Sequence, residues 1–306
     1  MASHKRKRQR YVSESGADLS EDELPRKRDP EEARPKKRKS EKPHILQSED
    51  SPATLPPISD YLPMALGGSH WHAQQSLQNI VVFGDSYSSS NDSDTWVHHV
   101  QRRTRSNPSE LYNFALPGAT AERDLSGQLS RFFERLSNED NSNRVRALDP
   151  DRTIYFVFLG INDCGNSEED EFDPIVDKIF DALHDLYVKA GARNFVLFDI
   201  PPINCSPQAI ISECADVMED RVKAWNELLQ TRITEFGRSS SKATVFLFSF
   251  HQALTDVLED PLEYDFSEDD PVNEGGCIWA DDLHLTSEVH DIIGGLLLTA
   301  VFELPS

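Results

Sequence analysis

Three short segments, far apart in the chain, end in side chains that together could carry out acyl transfer. Val81-Val82-Phe83-Gly84-Asp85-Ser86-Tyr87 delivers Ser86, Phe158-Leu159-Gly160-Ile161-Asn162-Asp163 delivers Asn162, and Trp279-Ala280-Asp281-Asp282-Leu283-His284 delivers His284. A serine hydroxyl is a poor nucleophile at neutral pH until a base removes its proton, and an imidazole suits that exchange. Asp281, three residues before His284, can accept a hydrogen bond from the far ring nitrogen and hold the tautomer that leaves the other nitrogen toward Ser86. Asp282 competes with Asp281 for this place, and His251 competes with His284 as base. An amide such as Asn162 can donate to a carbonyl oxygen that is gaining negative charge, and a preorganised donor there is worth about 3 kcal/mol. Each residue also has a plain structural reading. Ser86 and Asn162-Asp163 could be turn residues, Gly118 an ordinary turn glycine after Pro117, and His284 a surface or helix-capping histidine.

Four blocks stand in order: Gly84-Asp85-Ser86-Tyr87, Gly118 within Asn113-Phe114-Ala115-Leu116-Pro117-Gly118-Ala119-Thr120, Gly160-Ile161-Asn162-Asp163, and Asp281-Asp282-Leu283-His284. In that order they resemble the SGNH (GDSL-type) hydrolases, over roughly residues 78 to 302. Asn194-Phe195-Val196-Leu197-Phe198-Asp199-Ile200-Pro201-Pro202 and Cys164-Gly165-Asn166-Ser167 are similar to the fungal branch that includes the carbohydrate esterase family sixteen acetylesterases. The resemblance implies Ser86 as nucleophile, His284 as base and Asp281 as the group that orients it. It also implies an oxyanion hole made by the backbone N–H groups of Ser86 and Gly118 and the side-chain amide of Asn162. Gly118 suits that place, because a residue without Cβ lets the backbone approach a ligand closely. No metal or organic cofactor is implied, and the expected reaction is hydrolysis of short-chain, chiefly acetyl, esters, with carbohydrate esters among the candidates. The sequence departs from the family where His-Pro-Thr becomes His284-Leu285-Thr286.

The elements that must bring these residues together follow from the apolar pattern. Strands are expected at Asn79 to Phe83, Leu111 to Ala115, Thr153 to Leu159, Asn194 to Ile200 and Ala243 to Phe248, most of them near-continuous apolar runs that suit a buried parallel sheet. Apolar residues at helical spacing lie between them: Leu125, Leu129, Phe132 and Leu136; Val176, Ile179, Leu183 and Leu186; Met218, Val222, Trp225, Leu229, Ile233 and Phe236. This alternation predicts an α/β fold, a three-layer α/β/α sandwich around a flavodoxin-like parallel five-stranded sheet, with Ser86, Gly118 and Asn162 just beyond strand ends. A last helix is expected from Thr286, its N-cap, to Phe302, with Gly294-Gly295 marking close packing or a kink.

Composition places the domain at residues 75–306 behind a disordered tail at residues 1–60, which is rich in charge, Ser and Pro and has almost no apolar periodicity. Residues 1–48 hold fourteen Lys and Arg against nine Asp and Glu, so nearly all of the acidity behind the formal net charge of −22 belongs to the body. Such a body disfavours nucleic acid phosphates as ligands and suits neutral or cationic ones. Three basic clusters in the tail, Lys5 to Arg8, Arg26-Lys27-Arg28 and Lys36 to Lys39, read as signals for a nuclear import receptor; the alternative is a solubilising tail. The chain has no run of eighteen apolar residues and no apolar leader, so an intracellular monomer with no membrane segment and free cysteines is expected. Pairing of Cys205 with Cys214 is the oxidised alternative.

Three further features are left open by the residues. The stretch Glu259 to Glu274 carries eight carboxylates and reads as a lid or as a solvated loop. Trp96 and Trp279 could stack on a sugar, although packing is the commoner use of tryptophan. Two rivals to the esterase reading are a catalytically idle binding protein on the same fold, and metal-dependent phosphoester hydrolysis by Asp85, Asp163, Asp281, Asp282 and His284.

Overall fold

A computed structural model describes residues 54–55, 59–71, 77–89, 93–104, 109–137 and 148–302. The three basic clusters and nearly all of the expected tail lie outside these residues.

Five parallel strands form the centre: β3 (Asn79–Gly84), β4 (Glu110–Asn113), β5 (Thr153–Phe158), β6 (Asn194–Phe198) and β7 (Thr244–Phe248). Their spatial order, β4-β3-β5-β6-β7, is the expected flavodoxin-like one. Every residue of β5, β6 and β7 is buried, which is why these strands read as apolar runs after their first residues, Thr153, Asn194 and Thr244. Helices cover both faces. The row α2 (Leu125–Ser137), α4 (Phe172–Asp185) and α6 (Ala215–Ser239) makes one layer, and α1 (Trp96–Arg103), α7 (Phe250–Glu259) and α8 (Ser287–Phe302) make the other. The short helices α3 (Ile161–Asn166) and α5 (Pro207–Ile211) lie in the loops after β5 and β6.

The sheet is larger than the five strands expected. β1 (Thr54–Leu55) and β2 (Met64–Leu66) add to the β7 edge, each antiparallel to its neighbour, giving seven strands. The folded body therefore takes in residues that composition assigns to the tail and to the stretch before residue 75. Two- and three-residue strands are too short to show alternation, and the local abundance of Pro hides them. Leu62, Ala65 and Leu66 are nonetheless buried in the core. Strand ends also shift. β4 starts one residue early and stops at Asn113, and the run after β6 leaves the ladder at Asp199.

The last helix begins at Ser287, with Thr286 Oγ1 accepting from the Val289 backbone N–H at 3.4 Å. Gly294-Gly295 serves close packing: a Cβ at Gly294 would lie 3.3 Å from His99 Cβ and 3.5 Å from the Trp96 carbonyl oxygen of α1. Trp96 and Trp279 are fully buried, and Trp279 Nε1 donates to the Pro271 carbonyl at 2.9 Å, so both pack rather than offering a stacking face. Within Glu259 to Glu274, Asp270 is buried and accepts from the Ser267 N–H, the Ser267 hydroxyl and the Cys277 N–H, pinning the segment to itself. All four cysteines are free thiols.

Candidate active site

The carboxyl ends of β3 and β5 lie side by side where strand order reverses, the place where open α/β sheets hold ligands. β3 ends at Gly84 and the chain turns at once. The Asp85 carbonyl accepts from the N–H groups of Ser88 and Ser89, and its carboxylate accepts from the Tyr87 N–H at 3.0 Å. Asp85 thus shapes the turn that carries Ser86. Burial pushes the Asp85 carboxyl up to about 7, against the pull of the Tyr87 N–H, with Asp163 adding repulsion. From below, Gln128 of α2 grips Gly84 at both ends: its Oε1 accepts from the Gly84 N–H at 2.9 Å and its Nε2 donates to the Gly84 carbonyl at 2.8 Å.

β5 delivers the second block. Gly160 caps α3 at φ +129°, and a Cβ there would lie 2.5 Å from the Trp225 ring, so glycine is needed both for the turn and for space. Asn162 then projects from the first turn of α3 and donates to the Ala119 carbonyl at 3.0 Å. Asp163 is buried and accepts from the N–H groups of Ala121 and Glu122. The two neighbours together hold the loop after Gly118 against the β5 end. Gly118 itself sits at φ +74°, and neither its N–H nor that of Ser86 has a protein acceptor among the described residues.

The third block is a tight local turn. The Asp281 Oδ1 accepts from the backbone N–H groups of Leu283 and His284 at 2.8 and 2.6 Å, while Oδ2 faces His284 Nδ1 at 2.8 Å. Burial opposes the charge on Asp281, but these three donors outweigh it and hold the carboxyl below its ordinary value. The other ring nitrogen, Nε2, lies 2.9 Å from Ser86 Oγ, across 198 positions of sequence. With Nδ1 protonated toward Asp281, Nε2 can accept a hydrogen bond from the Ser86 hydroxyl. Asp282 does not share this role; its backbone carbonyl accepts from the Gln208 N–H at 2.8 Å. His251 is removed from the problem as well, since it lines a separate cleft and its backbone N–H is bound to Asp199.

One more bond ties the two ends of the chain. The Tyr87 hydroxyl donates to the Leu283 carbonyl at 2.8 Å, and the centroid of the buried Tyr87 ring is 6.2 Å from that of His284 and 5.8 Å from that of His290. Burial pushes His290 down to about 3, so that neighbour stays neutral at physiological pH. Beside the triad opens a cleft of about 390 Å³ whose walls include Asn162, Ile203, Gln208, Met218 and Leu283, and no charged side chain lines it.

The structure brings Ser86, His284 and Asp281 into one hydrogen-bonded chain and sets Gly118 and Asn162 on the loops joined by the Asn162–Ala119 bond. The donors required by the metal-dependent alternative are not assembled. Among the described residues no three His, Cys, Asp or Glu side chains come together in a way that would hold an ion. Gln128 and Tyr87 escape sequence reasoning as supports of the site. Gln128 leaves a trace, being a polar residue inside the apolar stripe Leu125, Leu129, Phe132, where only a satisfied polar group is tolerated. Tyr87 leaves none, because its partner is a backbone carbonyl far away in sequence.

The chain is similar to several known proteins. A family model described as GDSL-like Lipase/Acylhydrolase matches residues 80–297. An acetylesterase of Thermothelomyces thermophilus is 24% identical over 71% of this chain and 86% of its own length. GDSL esterase/lipase 4 of Arabidopsis thaliana is 24% identical over 50% of this chain, which spans less than half (46%) of that relative. Among solved structures, the carbohydrate acetylesterase Est24 of Sinorhizobium meliloti superimposes with a TM-score of 0.46 and 14% identity, over 74% of this chain and 100% of that one.

Proposed function

Because the chain belongs to the GDSL-like lipase/acylhydrolase family and is a hydrolase of ester bonds, we propose that it cleaves short-chain, chiefly acetyl, esters through an acyl-enzyme on Ser86. The observation that carries this reading is the unbroken chain Ser86 Oγ to His284 Nε2 at 2.9 Å and His284 Nδ1 to Asp281 at 2.8 Å. As Ser86 Oγ attacks the ester carbonyl, its proton passes to His284 Nε2, and Asp281 stabilises the imidazolium. The carbonyl oxygen becomes an oxyanion held by the N–H groups of Ser86 and Gly118 and by the Asn162 amide. Collapse breaks the bond to the alcohol, which leaves with the proton from His284. A water molecule then gives a proton to the same nitrogen and attacks the acyl group; collapse breaks the acyl–Oγ bond, the carboxylic acid leaves, and Ser86 Oγ takes the proton back from His284.

The small uncharged cleft beside the triad supports a short acyl chain on a neutral alcohol, and the likeness to the Thermothelomyces acetylesterase supports the same substrate class. Turnover of p-nitrophenyl acetate, butyrate and octanoate is the test. The expected result is activity that falls with chain length, labelling of Ser86 by a fluorophosphonate, and loss of at least about 10⁴-fold in kcat in Ser86→Ala. Activity that rises toward octanoate would overturn the short-chain reading. Turnover that survives Ser86→Ala would overturn the mechanism, and a wild-type chain with no turnover would favour the idle binding protein.

The basic clusters of residues 5–39 support a second assignment, binding to a nuclear import receptor. Residues 1–48 fused to a fluorescent reporter should concentrate it in the nucleus; a diffuse cytoplasmic signal would refute the assignment.

A further inference from the structure

Four of the seven large apolar side chains that stand exposed among the described residues lie on segments that carry or flank the site: Leu116, on the loop of Gly118, and Ile210, Ile211 and Val217, beside the cleft of about 390 Å³. Given the esterase reading, we infer that the outer part of this cleft and its apolar rim bind the alcohol half of the substrate, and that this half is an apolar alcohol, such as an alkanol, rather than a sugar. Helical spacing sets the rim against the cleft. Gln208, Ile211 and Ser212 are three and four positions apart on α5 and its C-cap, so they share a face, and Gln208 and Ser212 line the cleft. Val217 stands three residues after Cys214, the N-cap of α6, and next to Met218, both of which line it as well. Ile211 is 70% exposed and Val217 51%. The bond from the Gln208 N–H to the Asp282 carbonyl ties α5, and the rim with it, to the loop that carries His284.

Size and lining select the occupant. An acetyl group has only two carbons and fills a small part of the cleft, so most of the space falls to the alcohol. Ile161, Ile203, Ala209, Met218 and Leu283 supply apolar walls, and no charged side chain lines them. The polar side chains make few demands on a ligand. Asn166 Nδ2 donates to the Asn162 carbonyl at 2.6 Å, Ser206 Oγ accepts from the Ala209 N–H at 3.2 Å, and Gln208 and Ser212 are exposed, where water satisfies them. A sugar would give up its hydration for walls that return few hydrogen bonds, whereas each apolar carbon gains by leaving water. Glu213, Asp216 and Glu219 stand exposed in the same segment and disfavour an anionic group, whether on the alcohol or on a membrane surface.

Steady-state kinetics of the full chain with ethyl, butyl and hexyl acetate test this, because these alcohols leave with nearly equal intrinsic ease and differ in apolar surface. kcat/KM should rise about twofold per added CH₂, chiefly through KM; complete burial would give roughly fourfold. 2-Methylbutyl acetate should be preferred at least about fivefold over 2,3-dihydroxypropyl acetate, which has the same shape with two hydroxyls in place of methyl groups. The double variant Ile211→Ser/Val217→Ser, at two exposed positions that the fold tolerates, should lower the hexyl-to-ethyl ratio of kcat/KM at least about threefold. Val188→Ser, at another exposed valine near the amino end of β6, should leave that ratio alone. A flat series, a preference for the dihydroxy ester, a ratio that the rim variant leaves intact, or one that Val188→Ser lowers as much would each overturn the inference. Hexyl acetate turnover that rises only with phosphatidylcholine vesicles would overturn it too, by giving the rim to a lipid surface. No turnover of any of these esters would sink the esterase reading and this inference with it, whereas ethyl acetate turnover with a flat series sinks this inference alone.

Discussion

The side of the site that carries Ser86, the proposed nucleophile, and the side that carries His284, the proposed base, are held by different means. Ser86 follows a strand buried on both faces, and its immediate supports, Asp85 and Gln128, have no exposed surface. His284 and Asp281 stand on a loop, with 42% and 50% of their side chains exposed, and are shaped by a turn whose donors and acceptor lie within four residues. One side is therefore positioned by the core and the other by local hydrogen bonding. The contrast predicts that damage to the base side costs rate, while damage to the nucleophile side costs stability.

Asp281→Asn should show the largest effect on rate. An amide can present its N–H₂ to His284 Nδ1 and favour the wrong tautomer, and the expected loss in kcat is up to about 10⁴-fold. The fold should remain, because the turn is exposed and its two backbone donors can still reach the remaining side-chain oxygen. Steady-state kinetics beside a melting curve would check both halves. A variant that keeps full activity would show that His284 is oriented by something other than Asp281.

The two aspartates should also respond to pH with opposite sign. Asp281 is held below its ordinary value, so its contribution to stability is present above the unfolded pKa and is lost as pH falls through the folded one. Asp85 is raised to about 7 by burial, so between about pH 4 and 7 the folded state binds a proton that the unfolded chain has released, and stability falls as pH rises. Its second oxygen has no hydrogen-bond partner among the described residues, which leaves the ionised form uncompensated. Asp199, raised to about 7 by burial as well, adds to the same slope. Asp85→Asn should remove part of that slope, worth up to ~3 kcal/mol between pH 5 and 8. Urea denaturation at the two pH values would measure it, and an unchanged slope would mean that Asp85 stays ionised in the fold.

How much of this was legible in the sequence follows from the same contrast. The central strands could be read because burial on both faces makes them apolar throughout, and the Asp281–His284 pair could be read because its geometry is local. β1 and β2 could not, since strands of two and three residues carry no period and are recruited by the open edge of β7. The meeting of Ser86 with His284 follows from no spacing rule. It depends on the strand order and on where α1 and α8 pack, and only the resemblance of the four blocks to a known family pointed to it in advance.

Gln128→Leu would sharpen the claim about the nucleophile side. It removes both bonds to Gly84, although the Gly84 carbonyl keeps a bond from the Leu116 N–H at 3.1 Å. The cost falls on the buried Gly84 N–H, and a loss of about 2 kcal/mol in folding stability is expected. Activity per folded molecule should fall much less. The reverse pattern, intact stability with lost activity, would move Gln128 from support of the strand to direct alignment of Ser86.

The smallest expected effect probes the one bond that joins the two sides. Tyr87→Phe removes the hydroxyl that donates to the Leu283 carbonyl and leaves the packed ring in place. A neutral hydrogen bond of this kind contributes about 1 kcal/mol net, or a drop in Tm of roughly 2–3 °C for a chain of this size. If the bond also keeps the His284 turn in register with Ser86, kcat should fall about fivefold with KM unchanged, because binding surfaces in the neighbouring cleft are untouched. A fall in Tm with unaltered kcat would mean that the Asp281 turn finds Ser86 unaided. A fall in kcat would show that an exposed catalytic loop borrows its precision from the core through a single tyrosine.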